Sequence, residues 1–116
     1  GQDINADFEQ LHFTGGYDHN YVLGRPGEKK VMANAYSKES GIAMEAATDC
    51  CGVQFYAGNF IGEQAGKDEA AYHNRSGFCL ESQFYPNAVN EPDFPSPVVK
   101  AGDTYHTETT YRFYLK

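Results

Sequence analysis

The most regular stretch lies near the end of the chain, where Tyr105, Thr107, Thr109, Tyr111, Phe113 and Leu115 alternate with His106, Glu108, Thr110, Arg112, Tyr114 and Lys116. A period of two places successive side chains on opposite faces of a strand, and Lys100-Ala101-Gly102-Asp103 supplies the turn before it. Ile42, Met44 and Ala46 alternate in the same way with Ala43, Glu45 and Ala47. Ahead of them, Lys29 to Tyr36 follows an Arg25-Pro26-Gly27 turn and runs into a hairpin-like connection, Ser37-Lys38-Glu39-Ser40-Gly41. Val53 to Phe60 reads as a further strand, with Val53 and Phe55 opposite Gln54 and Tyr56. In Gly77 to Gln83, Phe78, Leu80 and Ser82 share one face, while Gly77, Cys79, Glu81 and Gln83 share the other.

Between these elements the chain is punctuated. Gly62 to Arg75, rich in Gly, Ala and charge, reads as a loop excursion, with a short helix as the alternative. Pro92, Pro95 and Pro97 remove donors and extend their predecessors, so Pro86 to Pro97 reads as a loop. Gly1 to Gln10 is polar and aperiodic, like the middle of a loop from a longer protein. No heptad, helical stripe or internal repeat is visible. The pattern predicts an all-β chain, residues 1–116 forming one domain or part of one, with antiparallel sheets packed as a sandwich.

Composition narrows the function classes. Nine Tyr and eight Phe without a single Trp suit strands. Nine basic against sixteen acidic residues give a net charge of −7, and no basic cluster offers a nucleic-acid footprint. No apolar run is long enough to span a bilayer. Cys50 and Cys51 are adjacent, and a third thiol at Cys79 makes the count odd, so no disulfide framework is implied and a reducing, cytoplasmic setting is expected. Cys50, Cys51, His73 and Cys79 match no familiar metal-ligand spacing, and no metal site is expected. Asn74-Arg75-Ser76 is formally a glycosylation sequon, relevant only to a secreted chain.

The candidate chemistry starts at Glu81. Glutamate is depleted from strands and is rarely buried without a partner, yet this one stands in an apolar run between a thiol and an amide. A solvated strand face is the plainer reading, with a working carboxylate as the alternative. A second polar constellation, Asp18-His19-Asn20, follows Gly15-Gly16-Tyr17 at a strand entrance. The glycine pair permits close approach of a ligand or another backbone, and an Asx-turn or strand-end cap is the plain structural reading.

Four motifs occur in order: Gly16-Tyr17-Asp18-His19-Asn20-Tyr21-Val22-Leu23; Gly52-Val53-Gln54-Phe55-Tyr56-Ala57-Gly58-Asn59-Phe60; Gly77-Phe78-Cys79-Leu80-Glu81-Ser82-Gln83; and Asn90-Glu91-Pro92-Asp93-Phe94-Pro95-Ser96-Pro97 ahead of a Gly102-to-Tyr105 turn. Their succession resembles the C-terminal part of the aldose 1-epimerases, the galactose mutarotase family, over essentially all 116 residues. The resemblance implies part of a large β-supersandwich that interconverts the α and β anomers of aldohexoses such as galactose and glucose, with no metal or organic cofactor. It implies that Glu81 is the catalytic base, that Asp18 binds sugar hydroxyls, and that Gln54 lines the sugar site.

Mutarotation requires the anomeric hydroxyl to lose a proton while the ring oxygen gains one, so that C1–O5 opens, C1–C2 rotates and the ring recloses. Moderate desolvation of Glu81 between Cys79 and Gln83 is expected to tune such a base. Tyr17, Phe55 and Tyr56 are candidates for an apolar wall, with core packing the equal alternative. In the resembled family the general acid is a histidine from the N-terminal half, and His12, His19, His73 and His106 do not match its position. The expected partners are a monosaccharide and either a missing N-terminal segment or a second copy of the chain, with neither nucleic acid nor membrane. A non-catalytic β-sandwich module for carbohydrate binding or assembly is the alternative function.

Overall fold

A computed structural model describes residues 6–116. Secondary structure runs α1 (Glu9–Thr14), β1 (Asp18–Val22), β2 (Lys30–Tyr36), β3 (Ile42–Thr48), β4 (Gly52–Tyr56), β5 (Gln64–Ala65), β6 (Ala71–Tyr72), β7 (Cys79–Gln83) and β8 (Thr109–Leu115). Strands β1, β4 and β7 form a sheet in the order β1-β4-β7, and a second sheet has the order β2-β3-β8. Strands β2 and β3, β3 and β8, and β5 and β6 pair antiparallel. The expected all-β class with antiparallel sheets is borne out.

The chain divides into two compact units. The first comprises the residues up to His19 together with Gln54–Glu81. Leu11, Tyr17 and Ala57 are its buried cluster, with Ala6, Phe8 and Phe55 packed against them. Helix α1 was not expected. It has one buried residue, Leu11, so no apolar stripe announces it. What ends it is Gly15, which takes a left-handed conformation (φ 64°) and whose backbone N–H donates to the Leu11 carbonyl. The Gly62–Arg75 excursion is a small hairpin, β5 paired with β6 around a 3₁₀ turn at Lys67–Glu69.

The second unit comprises Asn20–Val53 and Ser82–Lys116. Strand β3 is central, and register shares out its faces. Ala46 lies between Ala33 and Tyr111, Met44 between Ala35 and Phe113, and Ile42 opposite Leu115, which gathers one apolar face. The opposite face sets Glu45 between Asn34 and Arg112. Ala46 is fully buried, yet Phe113 is 66% and Leu115 82% exposed, so the apolar face is open towards the end of β8.

At the other end of β3 a chain of hydroxyls closes the interior. Ser82 Oγ and Thr48 Oγ1 each bond Thr109 Oγ1, at 2.8 and 2.9 Å, and Thr48 Oγ1 accepts from Cys50 N at 3.2 Å. Thr48 is 0% exposed, so this polar group has its partners where water cannot supply them.

Two strand limits differ from the expected ones. The last strand starts at Thr109 rather than Tyr105, because Asp49 captures the preceding segment. Its Oδ1 accepts from Thr107 Oγ1 at 2.6 Å and Glu108 N at 2.9 Å, while its own N–H donates to the Glu108 carbonyl. Strand β4 stops at Tyr56 because the chain turns at Gly58–Ile61, with Ile61 N donating to the Gly58 carbonyl at 3.4 Å.

Two measurements check this account. Thr48→Val keeps the shape but removes the hydroxyl shared by Thr109 and Cys50 N, and a loss of about 1–3 kcal/mol in urea unfolding is expected. The Asp49 carboxyl is held below its ordinary value of 3.8 by the Thr107 hydroxyl and then by the Glu108 amide. A depressed folded-state pKa stabilises the fold above the unfolded value, and that contribution is lost as pH falls through the folded one. Unfolding midpoints followed downward from about pH 6 should therefore fall more steeply below the ordinary carboxylate range for the parent than for Asp49→Asn.

Candidate functional site

Asp18, Gln54 and Glu81 belong to the same compact unit, on the adjacent strands β1, β4 and β7. Neighbouring strands lie about 4.8 Å apart, which sets β1 and β7 roughly 10 Å from each other across β4. That span suits a hexose ring with its hydroxyls.

Aromatic contacts decide which way these side chains face. Tyr17 packs on Phe55 with ring centroids 5.7 Å apart, and Phe55 packs edge-on against Phe78 at 6.2 Å. Tyr17 and Phe55 occupy the face turned to Leu11 and Ala57, and the half-exposed Phe78 adjoins that face through Phe55. Alternation along each extended segment then sends Asp18, Gln54 and Glu81 to the opposite face. Tyr17 and Phe55 are accordingly core residues rather than a wall for a sugar. Tyr56 shares the Gln54 face, and its hydroxyl accepts from Phe60 N at 2.8 Å.

The structure brings Asp18 and Gln54 into direct contact: Gln54 Nε2 donates to Asp18 Oδ1 at 2.7 Å. This bond fixes the rotamer of the amide and leaves Gln54 Oε1 buried with no partner among the described residues. A buried acceptor without a donor is costly, and a ligand hydroxyl can relieve it. Glu81 is exposed, as is Cys79 beside it, while Gln83 is half-buried. The desolvation expected for Glu81 is thus absent from these residues. Its two same-face neighbours on β7 are too few to cover a glutamate, so the carboxylate opens onto solvent.

The histidines are disposed elsewhere. His19 packs edge-on against Tyr17, with ring centroids 5.7 Å apart, and so lies on the face away from Asp18. His12 Nε2 approaches Asp7, and His73 Nδ1 approaches Glu63, each at 2.6 Å on the surface. His106 lines a cavity of about 40 Å³ with Asp49, Cys50 and Tyr105 in the second unit. All three cysteines are free thiols, and among the described residues no group of three or more His, Cys, Asp or Glu could hold a metal ion.

One contributor escaped the sequence pattern. Asn59 is buried at the turn after β4, where its Nδ2 donates to the Tyr17 carbonyl at 2.9 Å. A Gly-Asn pair after a strand reads simply as turn chemistry. The only sequence signal was the Gly15-Gly16 pair, which announces close approach without naming what approaches.

The aldose 1-epimerase family model matches residues 1–112. The chain belongs to the aldose 1-epimerase family. It is 41% identical over 112 residues to the galactose mutarotase of Sus scrofa, covering 96% of this chain and 32% of that protein. The Homo sapiens galactose mutarotase is 39% identical over the same length, with the same coverage. The aldose 1-epimerase of Escherichia coli K12 is 35% identical over 101 residues, covering 84% of this chain and 29% of that protein. The chain therefore spans about a third of the length of the curated relatives it matches. Its antiparallel sheets and scant helix agree with the sandwich-like fold expected of the family.

Proposed function

We propose that a full-length protein carrying this segment is an aldose 1-epimerase, interconverting the α and β anomers of aldohexoses such as galactose and glucose. The observation that supports this most is the Gln54–Asp18 pair, with the unpartnered acceptor Gln54 Oε1 beside it, on the same strand face as the open carboxylate of Glu81. Relatives named galactose mutarotase and aldose 1-epimerase point to the same chemistry.

In this reading Asp18 and Gln54 accept hydrogen bonds from neighbouring sugar hydroxyls and fix the ring. Glu81 takes the proton of the anomeric hydroxyl as C1–O5 breaks and returns it on reclosure to the other face of the aldehyde. The ring oxygen must gain a proton at the same time. In the resembled family the donor is a histidine of the N-terminal half, whose motif position none of His12, His19, His73 and His106 matches, so this reading takes the acid from the rest of the full-length protein. The rest of the full-length protein is the natural cover for Glu81 and for the open apolar face of the β2-β3-β8 sheet, with a second copy of the chain as the other candidate. The free thiols suit a cytoplasmic enzyme.

Polarimetry of α-galactose and α-glucose tests the reading on the full-length protein and on the 116-residue chain. Glu81→Gln in the full-length protein should lower kcat by about 10²–10⁴-fold, the range for a lost general base. Asp18→Asn should act mainly on KM, by about 10-fold or more, since a hydrogen bond to a charged group contributes about 1.5–3 kcal/mol. If the full-length protein and its Glu81→Gln variant relax both sugars equally slowly, the enzyme reading is lost. Retained sugar binding in that event would leave the non-catalytic carbohydrate module.

A further inference from the structure

The carbonyl immediately before Asp18 is held twice. Ala57 N donates to Tyr17 O at 2.9 Å, and Asn59 Nδ2 donates to the same oxygen at 2.9 Å. The first is the bond expected between neighbouring extended segments. The second comes from a side chain that is 5% exposed and whose own Oδ1 has no partner among the described residues. An apolar residue of similar volume would fill that space without a buried, unsatisfied oxygen. What it could not do is grip the Tyr17 carbonyl.

The surrounding backbone is shaped to admit this amide. Gly16 has φ +136°, a conformation that side chains rarely adopt, and a Cβ there would lie 2.3 Å from Asn59 Oδ1 and 2.8 Å from its Cγ. Arg75 Nη2 comes to 3.1 Å of the same point and donates to the Gly15 carbonyl at 3.4 Å. A bare Gly16 therefore lets Asn59 close on the peptide that joins Tyr17 to Asp18.

We propose that Asn59 is a positioning residue: its amide clamps the Tyr17–Asp18 peptide and thereby aims the Asp18 carboxylate at Gln54 and at the sugar. The peptide plane sets the direction from which the Asp18 side chain leaves β1. Gln54 then meets Oδ1 at 2.7 Å only while that direction holds. Asn59 itself lies at the turn after β4 and acts through Asp18 rather than on the sugar.

This inference rests on the epimerase reading for its kinetic consequence, and the test separates the two. In the full-length protein, Asn59→Ala should raise KM for galactose about tenfold and leave kcat within about threefold, because ring-binding geometry is disturbed and the base is not. The rise should vanish in the Asp18→Asn background, where there is no carboxylate left to aim. A purely structural role would instead lower the active fraction at unchanged KM, or add in full to Asp18→Asn, and either outcome overturns the proposal.

A second readout needs no turnover. In ¹⁵N-labelled protein, the Gln54 side-chain amide resonances of Asn59→Ala should move towards those of Asp18→Asn, and resonances at the parent position would overturn the proposal. If the parent enzyme proves inactive on sugars, the functional reading fails alone and this readout still decides the role of Asn59. Should Asn59→Ala not fold, Asn59→Ser carries the same comparisons. Its shorter side chain keeps a hydroxyl donor near Tyr17 O, so an intermediate KM and an intermediate amide shift are expected, and parent values in both would overturn the clamp.

Discussion

The packing of Tyr17 on Phe55 governs the candidate site more than any polar interaction does. Each ring sits next in sequence to a site residue, Tyr17 before Asp18 and Phe55 after Gln54. A strand has only two faces, so once the rings join Leu11 and Ala57 in the interior, the carboxylate and the amide must emerge on the other side. Phe78 extends the argument to Glu81 through its contact with Phe55. A slip of one residue in any of these segments would exchange rings for polar groups and dismantle core and site together. Burial of aromatic surface thus fixes the direction in which the chemistry points.

Much of the fold was legible because its strands are amphipathic. The alternation of Ile42 to Ala47 and of Thr109 to Leu115 survives into paired strands with matching faces. What could not be read has local causes. Helix α1 buries one side chain and is ended by a glycine whose role emerges only from its φ. The start of the last strand was displaced by Asp49, more than fifty residues away in sequence, which takes the hydrogen bonds of Thr107 and Glu108. Such competition between a side chain and a ladder leaves no periodic trace.

The site was legible in a different way. Glu81 and Asp18 stood out by their setting, but their roles and that of Gln54 came from resemblance to a family, and neither spacing nor composition could have paired an aspartate with a glutamine 36 positions later. The structure supplies that contact together with the orphaned oxygen beside it. It also corrects the expectation for Glu81, whose short strand offers too little neighbouring surface to shield it. Shielding is a property of what covers a face, and a single strand carries no information about that. Asn59 went unnoticed for a related reason, since its importance lies entirely in which carbonyl it reaches.

The outer position of β8 has a practical consequence for anyone handling the isolated chain. Thr109-Thr110-Tyr111-Arg112-Phe113-Tyr114-Leu115 is seven residues of high β-propensity with one charge and no proline, and one of its edges lies beyond the β3 ladder. An outer strand edge is a template for another strand, and the exposed side chains of Phe113 and Leu115 would add an adhesive surface. The net charge of −7 opposes this, through a repulsion that salt screens over about 10 Å at 0.1 M. Ionic strength therefore sets the colloidal lifetime of the isolated segment, and dilute buffer is its best preservative.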